Sequence, residues 1–303
     1  MGRVAFVFSG QGAQKAGMGK SFYDGNETVR TLFDQCESLR EGTLKMCFSG
    51  TDEELKATEN TQPCLYLTDL GAAIALREAG VIPDGVAGFS LGEIPALAFA
   101  EAYDMQDGFC LAMARGKAMA KAAQENPASM LAVMKMESAQ VEEMCKGFEQ
   151  VYPVNYNAPG QLVVAGLSPK MEAFSKAVRE AGGRGLPVAV GGGFHSPFMA
   201  GASKEFAEAL NMVSVEKPRI PVYSNYMSVP YGENVEEWMI NQINHPLRWQ
   251  ESIEEMGRDG FDTFIEVGVG TTLKKLISRI LPDSQVYAVS SVEDIELVKE
   301  AIG

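Results

Sequence analysis

The chain has 303 residues, with 26 basic and 40 acidic side chains and a formal net charge of −14. Hydrophobic residues make up 46% and charged residues 22%, which is typical of a globular protein and excludes a disordered one. No segment approaches the roughly 20 consecutive apolar residues of a membrane helix, so no membrane association is expected. The acidic charge disfavours nucleic acid as a partner, because phosphate binding needs a basic surface.

Strand-like segments alternate with helical patterns along most of the chain, which predicts an α/β fold with a mainly parallel sheet covered by helices. We predict strands over 4–8, 85–88, 219–224, 263–267 and 285–290. We predict helices over 64–79, 91–101, 104–124 and 271–281, with Asp104 as the N-cap of the third. At about 150 residues per domain, the length fits two domains or one domain with an insertion.

The middle of the chain has a different order of elements. We predict strands over 130–136, 151–155, 161–165 and 185–190, and helices over 138–148 and 169–181. The order βαββαβ is that of a ferredoxin-like unit. We therefore expect a small subdomain at 127–192, inserted into a large domain formed by 1–126 and 193–303.

Cysteine and histidine usage indicates the compartment and the chemistry. The five cysteines form no CxxC pair, which indicates reduced thiols and a cytoplasmic location. The N-terminus lacks the charged, apolar and cleavage regions of a signal peptide, so we expect none. With two histidines and no cysteine cluster, no metal site is expected.

The pentapeptide Gly88-Phe89-Ser90-Leu91-Gly92 fits the nucleophile-elbow pattern G-x-S-x-G. A chance match at a glycine-rich turn is the alternative, but a predicted strand before it and a helix after it favour the elbow. The turn would expose the Ser90 oxygen, and the backbone N–H of Leu91 could face a developing oxyanion. Pro95 is unusual in the helix that follows.

A serine nucleophile needs a base, and His195 and His245 are the only histidines. His195 follows three glycines and precedes Ser196-Pro197, which reads as the N-cap and first residue of a helix. The positive end of that helix would keep the imidazole neutral. His245 reads as a solvated loop residue, so we favour His195 as the base.

Several motifs in the same order resemble those of malonyl-CoA:acyl carrier protein transacylases and the related acyltransferases of polyketide synthases. The resemblance extends over essentially the whole chain. Its motifs are Phe8-Ser9-Gly10-Gln11-Gly12-Ala13-Gln14, Gly88-Phe89-Ser90-Leu91-Gly92-Glu93, Arg115-Gly116-Lys117, Val154-Asn155-Tyr156-Asn157-Ala158-Pro159-Gly160-Gln161, His195, Pro246-Leu247-Arg248-Trp249 and Glu266-Val267-Gly268-Val269-Gly270.

The resemblance implies an α/β-hydrolase-like large domain with the ferredoxin-like insert, and a ping-pong transfer of malonate from CoA to acyl carrier protein. Ser90 would be the nucleophile and His195 the base. Gln11 and Leu91 would supply the backbone N–H groups of the oxyanion hole. A backbone carbonyl, by position that of Arg248, would orient the histidine. No cofactor is implied, since the CoA thioester is a substrate and the phosphopantetheine belongs to the carrier protein.

The resemblance also implies that Arg115 binds the free carboxylate of malonate. Its neighbours at helical spacing are apolar, namely Leu111, Ala112, Ala118 and Met119. A guanidinium on such a face must be paired, and its planar fork suits a carboxylate. An internal salt bridge is the alternative at this stage.

The substrate pocket is expected to include Phe89, Phe194 and Asn157. Relatives usually carry histidine where this chain has Phe89, which could alter binding of the acyl group or the thioester. Among the polyketide relatives, phenylalanine before the catalytic histidine goes with malonyl rather than methylmalonyl, so Phe194 favours malonyl. Val269 stands where proline is common, which affects only loop stiffness.

The functional alternatives share parts of this site. A discrete acyltransferase of a polyketide synthase has the same residues and chemistry, so the sequence does not separate it from fatty acid synthesis. A serine hydrolase or thioesterase would use water as acceptor, and a non-catalytic carrier-binding module would need no nucleophile. We expect a monomer, because no interface pattern stands out.

Both expected partners, CoA and acyl carrier protein, are anionic like the chain itself. Binding would then depend on a local basic rim near Ser90. The candidates for this rim are Lys15, Lys20, Lys117, Lys121, Arg184, Lys274 and Lys275.

Overall fold

The computed structural model describes residues 2–302 and has an α/β fold with two separate sheets. The strands are β1 Arg3–Phe8, β2 Gly85–Gly88, β3 Ala128–Met134, β4 Val151–Ala158, β5 Gln161–Leu167, β6 Arg184–Val188, β7 Val222–Tyr223, β8 Phe261–Val267 and β9 Gln285–Val289. The first sheet is parallel, in the order β7-β2-β1-β8-β9, and the second is antiparallel, in the order β4-β5-β3-β6.

Helices cover the parallel sheet and flank the antiparallel one. They are α1 Lys20–Gly25, α2 Glu27–Leu39, α3 Thr43–Ser49, α4 Asp52–Lys56, α5 Thr58–Glu78, α6 Glu93–Phe99, α7 Met105–Glu125, α8 Ser138–Lys146, α9 Ser168–Glu180, α10 Ala200–Leu210, α11 Val235–Asn244, α12 Trp249–Arg258, α13 Thr272–Ile280 and α14 Val292–Ile302. Short 3₁₀ turns cover Ser90–Gly92 and Pro197–Met199. None of the helices described is long and apolar enough to cross a membrane.

The centre of the parallel sheet positions the site. Residues 4–8 of β1 are all buried, as expected for a parallel strand covered on both faces. Phe8 pairs with Gly88 at the carboxyl ends of β1 and β2. The segments that follow these two strands therefore emerge side by side at the edge where α/β sheets place their ligand sites.

The predicted βαββαβ order is present in the second sheet, with strand bounds shifted by at most three residues. This sheet is attached to the rest of the chain through Leu247. Tyr156 donates its backbone N–H to the carbonyl of Leu247 at 2.9 Å, and Leu247 donates to Val154 at 2.7 Å. The C-terminal half of β4, which contains Asn155 and Asn157, is thereby held beside the carboxyl edge of the parallel sheet.

Three prolines lie in or beside the predicted helices and strands. Helix α5 begins at Thr58 rather than at residue 64, and Pro63 lies inside it. Pro95 lies in the first turn of α6, where a missing N–H has no intrahelical acceptor to lose. The strand expected over 219–224 is reduced to Val222–Tyr223, directly after Pro221, which has no N–H for a ladder.

Candidate active site

Ser90 lies in the sharp turn between β2 and α6, in the strand–turn–helix context predicted for the pentapeptide. Its φ of 55° is in the left-handed region that non-glycine residues rarely adopt. A Cβ on Gly88 would lie 2.0 Å from the Gly92 carbonyl carbon, and one on Gly92 would lie 2.3 Å from the Phe8 oxygen. The two glycines of the motif are therefore required by the close approach of three backbone segments.

Asn225 holds the strained turn in place. Its Oδ1 accepts the Ser90 backbone N–H at 2.7 Å, and its Nδ2 donates to the Gly88 carbonyl at 2.8 Å. Asn225 was not among the site residues predicted from the sequence. Only the topology indicates Asn225. It follows β7, the strand that pairs in parallel with β2, so it lies at the same edge of the sheet as Ser90.

His195 completes a hydrogen-bonded pair with the serine. Its Nε2 lies 2.7 Å from Ser90 Oγ, and its Nδ1 lies 2.8 Å from the backbone carbonyl oxygen of Gln242. The prediction that Arg248 supplies this carbonyl is wrong. The Arg248 carbonyl instead accepts the backbone N–H of Ser252 at 3.0 Å and its hydroxyl at 2.9 Å, at the start of α12.

The other histidine does not reach the serine. His245 Nδ1 lies 2.9 Å from both the Asn241 carbonyl and Asn244 Oδ1, and its ring packs edge-on against Tyr226. His195, by contrast, is buried and lines the same cavity as Ser90.

The environment keeps His195 neutral. Burial and, to a smaller extent, the neighbouring Arg115 cation lower the pKa of its imidazole to about 3, although the Gln242 carbonyl opposes the change. With Nδ1–H donated to that carbonyl, Nε2 has its lone pair directed at the Ser90 hydroxyl. The arrangement can accept the proton of Ser90.

Arg115 points into the same site from α7 and is 1% exposed. It donates to Gln62 Oε1 at 3.0 Å, to Gln242 Oε1 at 2.8 Å and to Ser90 Oγ at 3.2 Å. It forms no ion pair with the carboxylates described, so the internal salt bridge considered above is not made. A buried guanidinium with only neutral partners, directed at a serine, is suited to an incoming carboxylate.

The loop after β1 faces the elbow. A Cβ on Gly10 would lie 2.6 Å from the Phe89 carbonyl, which shows how closely the two segments pack. The Ser9 hydroxyl donates to the buried Asp69 carboxyl at 2.9 Å and anchors the start of the loop. Gln11, in this loop, lines the cavity, and Leu91 is buried beside Ser90. Leu91 therefore directly follows the nucleophile in the chain, and Gln11 lines the same cavity as Ser90.

A cavity of about 280 Å³ opens over Ser90. The three residues predicted for the substrate pocket, Phe89, Phe194 and Asn157, all line it. The Phe89 ring packs edge-on against buried Trp249 with ring centres 5.5 Å apart. No cluster of His, Cys, Asp or Glu among residues 2–302 has the arrangement of a metal site.

Two asparagines on β4 face the cavity with unused acceptors. Asn155 and Asn157 are 9% and 7% exposed, and both line the cavity. Their Oδ1 atoms are buried and have no hydrogen-bond partner within the described part of the chain. A buried amide oxygen without a partner is costly, so both are suited to accept an N–H group from a ligand.

A family model described as acyl transferase domain matches residues 5–299. The chain belongs to this family. The malonyl CoA-acyl carrier protein transacylase of Bacillus subtilis is 33% identical over 310 residues, covering 100% of this chain and 98% of that protein. The polyketide biosynthesis malonyl CoA-acyl carrier protein transacylase PksC of the same species is 36% identical over 290 residues, covering 93% and 98%.

The likeness extends to solved structures of this acyl transferase family. A crystal structure of malonyl CoA-acyl carrier protein transacylase from Clostridium perfringens superimposes with a TM-score of 0.95 at 32% identity. It covers 99% of this chain and 97% of that one. The parallel sheet and the separate antiparallel sheet therefore belong to the common architecture of the family.

Proposed function

We propose that this acyl transferase moves malonate from malonyl-CoA to the phosphopantetheine thiol of acyl carrier protein through an acyl-enzyme on Ser90. The observation that carries the proposal is the position of Ser90 Oγ, 2.7 Å from a neutral histidine and 3.2 Å from a buried arginine. A neutral histidine can take the proton of the nucleophile, and a buried arginine can bind a substrate with a free carboxylate. The relatives' names identify malonyl as that acyl group.

In the first half-reaction, Ser90 Oγ attacks the thioester carbonyl carbon while its proton passes to His195 Nε2. The oxyanion of the tetrahedral intermediate faces the backbone N–H groups of Gln11 and Leu91. The C–S bond then breaks, and the CoA sulfur takes the proton from His195. The malonyl group remains on Ser90 as an ester.

In the second half-reaction, the carrier thiol gives its proton to His195 and attacks the Ser90 ester. The intermediate collapses with cleavage of the C–Oγ bond, and Ser90 recovers the proton. Both substrates of this exchange are thioesters or thiols, so no redox step arises. Serine, histidine and arginine supply the nucleophile, base and carboxylate site, and we propose no resident cofactor.

The unpartnered asparagines fit the rest of the donor. The pantetheine arm of both CoA and the carrier protein has amide N–H groups, and Asn155 and Asn157 offer two buried acceptors along the cavity. Their place on β4 gives the small sheet a part in substrate binding. This supports treating 127–192 as a subdomain inserted into an α/β-hydrolase-like domain of 1–126 and 193–303.

Fatty acid synthesis is the pathway that the names of most relatives support, while the polyketide role is not favoured. We further propose a cytoplasmic monomer, on the ground of five free cysteines, four of them buried. The absence of an interface pattern in the sequence supports the monomer.

Radiolabelled malonyl-CoA and holo-carrier protein test the proposal. We expect label on the wild-type protein by intact-mass analysis, its transfer to the carrier, and no adduct on Ser90→Ala. Release of free malonate without transfer would identify a hydrolase instead. Carrier binding without any adduct would identify a non-catalytic module, and an adduct on Ser90→Ala would exclude Ser90 as the nucleophile.

A further inference from the structure

A buried carboxylate lies behind the site, on the side away from the cavity. Glu93, the first residue of α6, is 1% exposed and does not line the cavity over Ser90. It accepts the hydroxyl of Tyr231, the backbone N–H of Asn225 at 3.0 Å and the Nε2–H of Gln242 at 3.1 Å. The mechanism above assigns no role to this carboxylate.

Gln242 forms hydrogen bonds with His195, Arg115 and Ser90. Its backbone carbonyl accepts His195 Nδ1–H, and its side-chain Oε1 accepts Arg115 at 2.8 Å. Its Nε2 donates to the Ser90 carbonyl at 2.8 Å as well as to Glu93. The orientation of the base, the guanidinium and the elbow therefore all depend on one residue, whose side chain Glu93 holds.

Asn225 gives Glu93 a second connection to the elbow. The Asn225 backbone N–H donates to Glu93, while its side chain bonds the Ser90 N–H and the Gly88 carbonyl. Glu93 thus supports both residues that hold the strained nucleophile turn.

The charges of Arg115 and Glu93 also connect this carboxylate with the active site. The hydrogen-bond partners of buried Arg115 are neutral, and a buried charge needs compensation. Glu93 is the carboxylate that reaches it, through the amide of Gln242, and each group favours the charged form of the other. An amide between two buried opposite charges donates to one and accepts from the other, so its orientation is fixed.

We propose that Glu93 is a positioning residue for the transfer reaction. Its carboxylate fixes Gln242, through Gln242 it holds Arg115, His195 and Ser90 in position, and its negative charge compensates the buried charge of Arg115. This inference rests on the proposed malonyl transfer. It assigns Glu93 no contact with substrate.

The pH dependence gives a readout that packing alone would not move. Burial raises the pKa of Glu93 to about 7, against the lowering effects of Tyr231, Gln242, Asn225 and Arg115. Tyr103 and Tyr231, the other titratable groups facing it, have pKa values raised well above 10 by burial and stay neutral. His195, with its pKa lowered to about 3, also stays neutral here. Among the groups that face one another here, Glu93 is therefore the one whose charge changes near neutral pH.

The test compares Glu93→Gln, Glu93→Asp and Tyr231→Phe by single-turnover acylation of Ser90 and by steady-state transfer, each from pH 5 to 9. Glu93→Gln keeps the shape and removes the charge, so we expect kcat to fall about tenfold or more with a smaller change in KM. The acidic limb near pH 7 should disappear. Tyr231→Phe removes one donor and keeps the carboxylate, so it should keep an acidic limb and move it to higher pH, because the Tyr231 hydrogen bond lowers the pKa of Glu93.

Glu93→Asp keeps the charge and should retain an acidic limb. A Glu93→Gln protein with wild-type kcat and an unchanged pH profile would overturn the proposal. So would a wild-type acylation rate that shows no acidic limb between pH 6 and 8, a result that requires no variant to fold. A wild-type protein that transfers no malonyl group refutes the proposed function itself, which keeps the two failures distinguishable.

Discussion

Arg115 donates a hydrogen bond to Ser90 Oγ at 3.2 Å, so the guanidinium and the nucleophile are in direct contact. A carboxylate bound in the fork of Arg115 would compete with the serine oxygen for this donor and release Oγ toward the thioester. It would also neutralise the charge that lowers the pKa of His195. Binding of malonate therefore makes the histidine a stronger base, an effect that an acetyl group cannot produce.

Arg115→Ala should remove the preference for malonyl over acetyl. Loss of a charge-assisted pair is worth about 1.5–3 kcal/mol, so the ratio of kcat/KM for malonyl-CoA to that for acetyl-CoA should fall roughly ten- to hundredfold. Competitive acylation followed by intact-mass analysis measures the ratio. Arg30→Ala, exposed on α2, is the control and should leave it unchanged. An Arg115→Ala enzyme that still prefers malonyl would show that another group reads the carboxylate.

The pKa of His195 predicts an acid-dependent loss of stability. Its value is about 3 in the folded chain and about 6.5 when unfolded, so the unfolded chain binds more protons between those values. The contribution of His195 to the free energy of unfolding is complete above pH 6.5 and decreases as the pH falls toward 3. The slope in this window is at most about 1.4 kcal/mol per pH unit.

Urea unfolding of wild type and His195→Gln from pH 4 to 8 measures this contribution as the difference between the two proteins. Wild type should lose stability relative to the variant as the pH falls. His245→Gln, the matched histidine variant, should follow wild type. Parallel curves for wild type and His195→Gln would contradict the lowered pKa.

The parts of the site that the sequence predicted are set by local geometry. The turn around Ser90 admits only glycine at positions 88 and 92, so the two glycines of the pentapeptide indicate the backbone geometry of the turn. Arg115 follows from the family resemblance, and its apolar neighbours at helical spacing indicate that its guanidinium is buried and paired. Gln242 could not be found this way, since it lies 47 residues from His195 and meets it only through the packing of α11. The residue that supplies a backbone carbonyl cannot be recognised from its side chain. The sequence therefore does not distinguish Gln242 from Arg248 as the source of this carbonyl.

The fold, too, was predicted where it depends on residues that are close in sequence. The order βαββαβ was predicted because its strands are neighbours in sequence. The position of β1 between β2 and β8 depends on pairing across the whole chain, which no window reveals. The predicted elements leave out α1, α2, α3, α4, α11, α12 and α14. Helices α1 and α3 are short, and each follows a glycine in the left-handed region.

Phe194→Ser should admit a methylmalonyl group. Phe194 is 6% exposed and lines the cavity, so its ring occupies space that an α-methyl would need. Discrimination of one methyl is worth about 1–3 kcal/mol, which sets the expected gain in relative kcat/KM at roughly 10- to 100-fold. Competition between malonyl-CoA and methylmalonyl-CoA measures it, with Phe148→Ser, in the small subdomain, as the control. An unchanged ratio would show that the ring does not limit acyl size.

Charge reversal of the basic rim should slow transfer to the carrier and leave acylation by short thioesters intact. Two of the seven candidates are neutralised, because Lys20 pairs with Asp24 and Lys121 pairs with Glu205. Lys15, Lys274 and Lys275 form no ion pair among residues 2–302 and flank two loops that touch. A Cβ on Gly270 would lie 3.5 Å from the Cβ of Ala13.

These three lysines lie close to cavity-lining residues, since Ala13 and Leu273 both line it. We expect Lys15→Glu with Lys274→Glu to lower kcat/KM for holo-carrier roughly tenfold at low salt, with the difference shrinking as ionic strength rises. Malonyl-pantetheine, which lacks the carrier's charges, should acylate both proteins equally. Lys146→Glu with Lys176→Glu, exposed on α8 and α9, is the charge-matched control. A salt-independent loss, or an equal loss in this control, would assign the effect to net charge or folding and not to a docking rim.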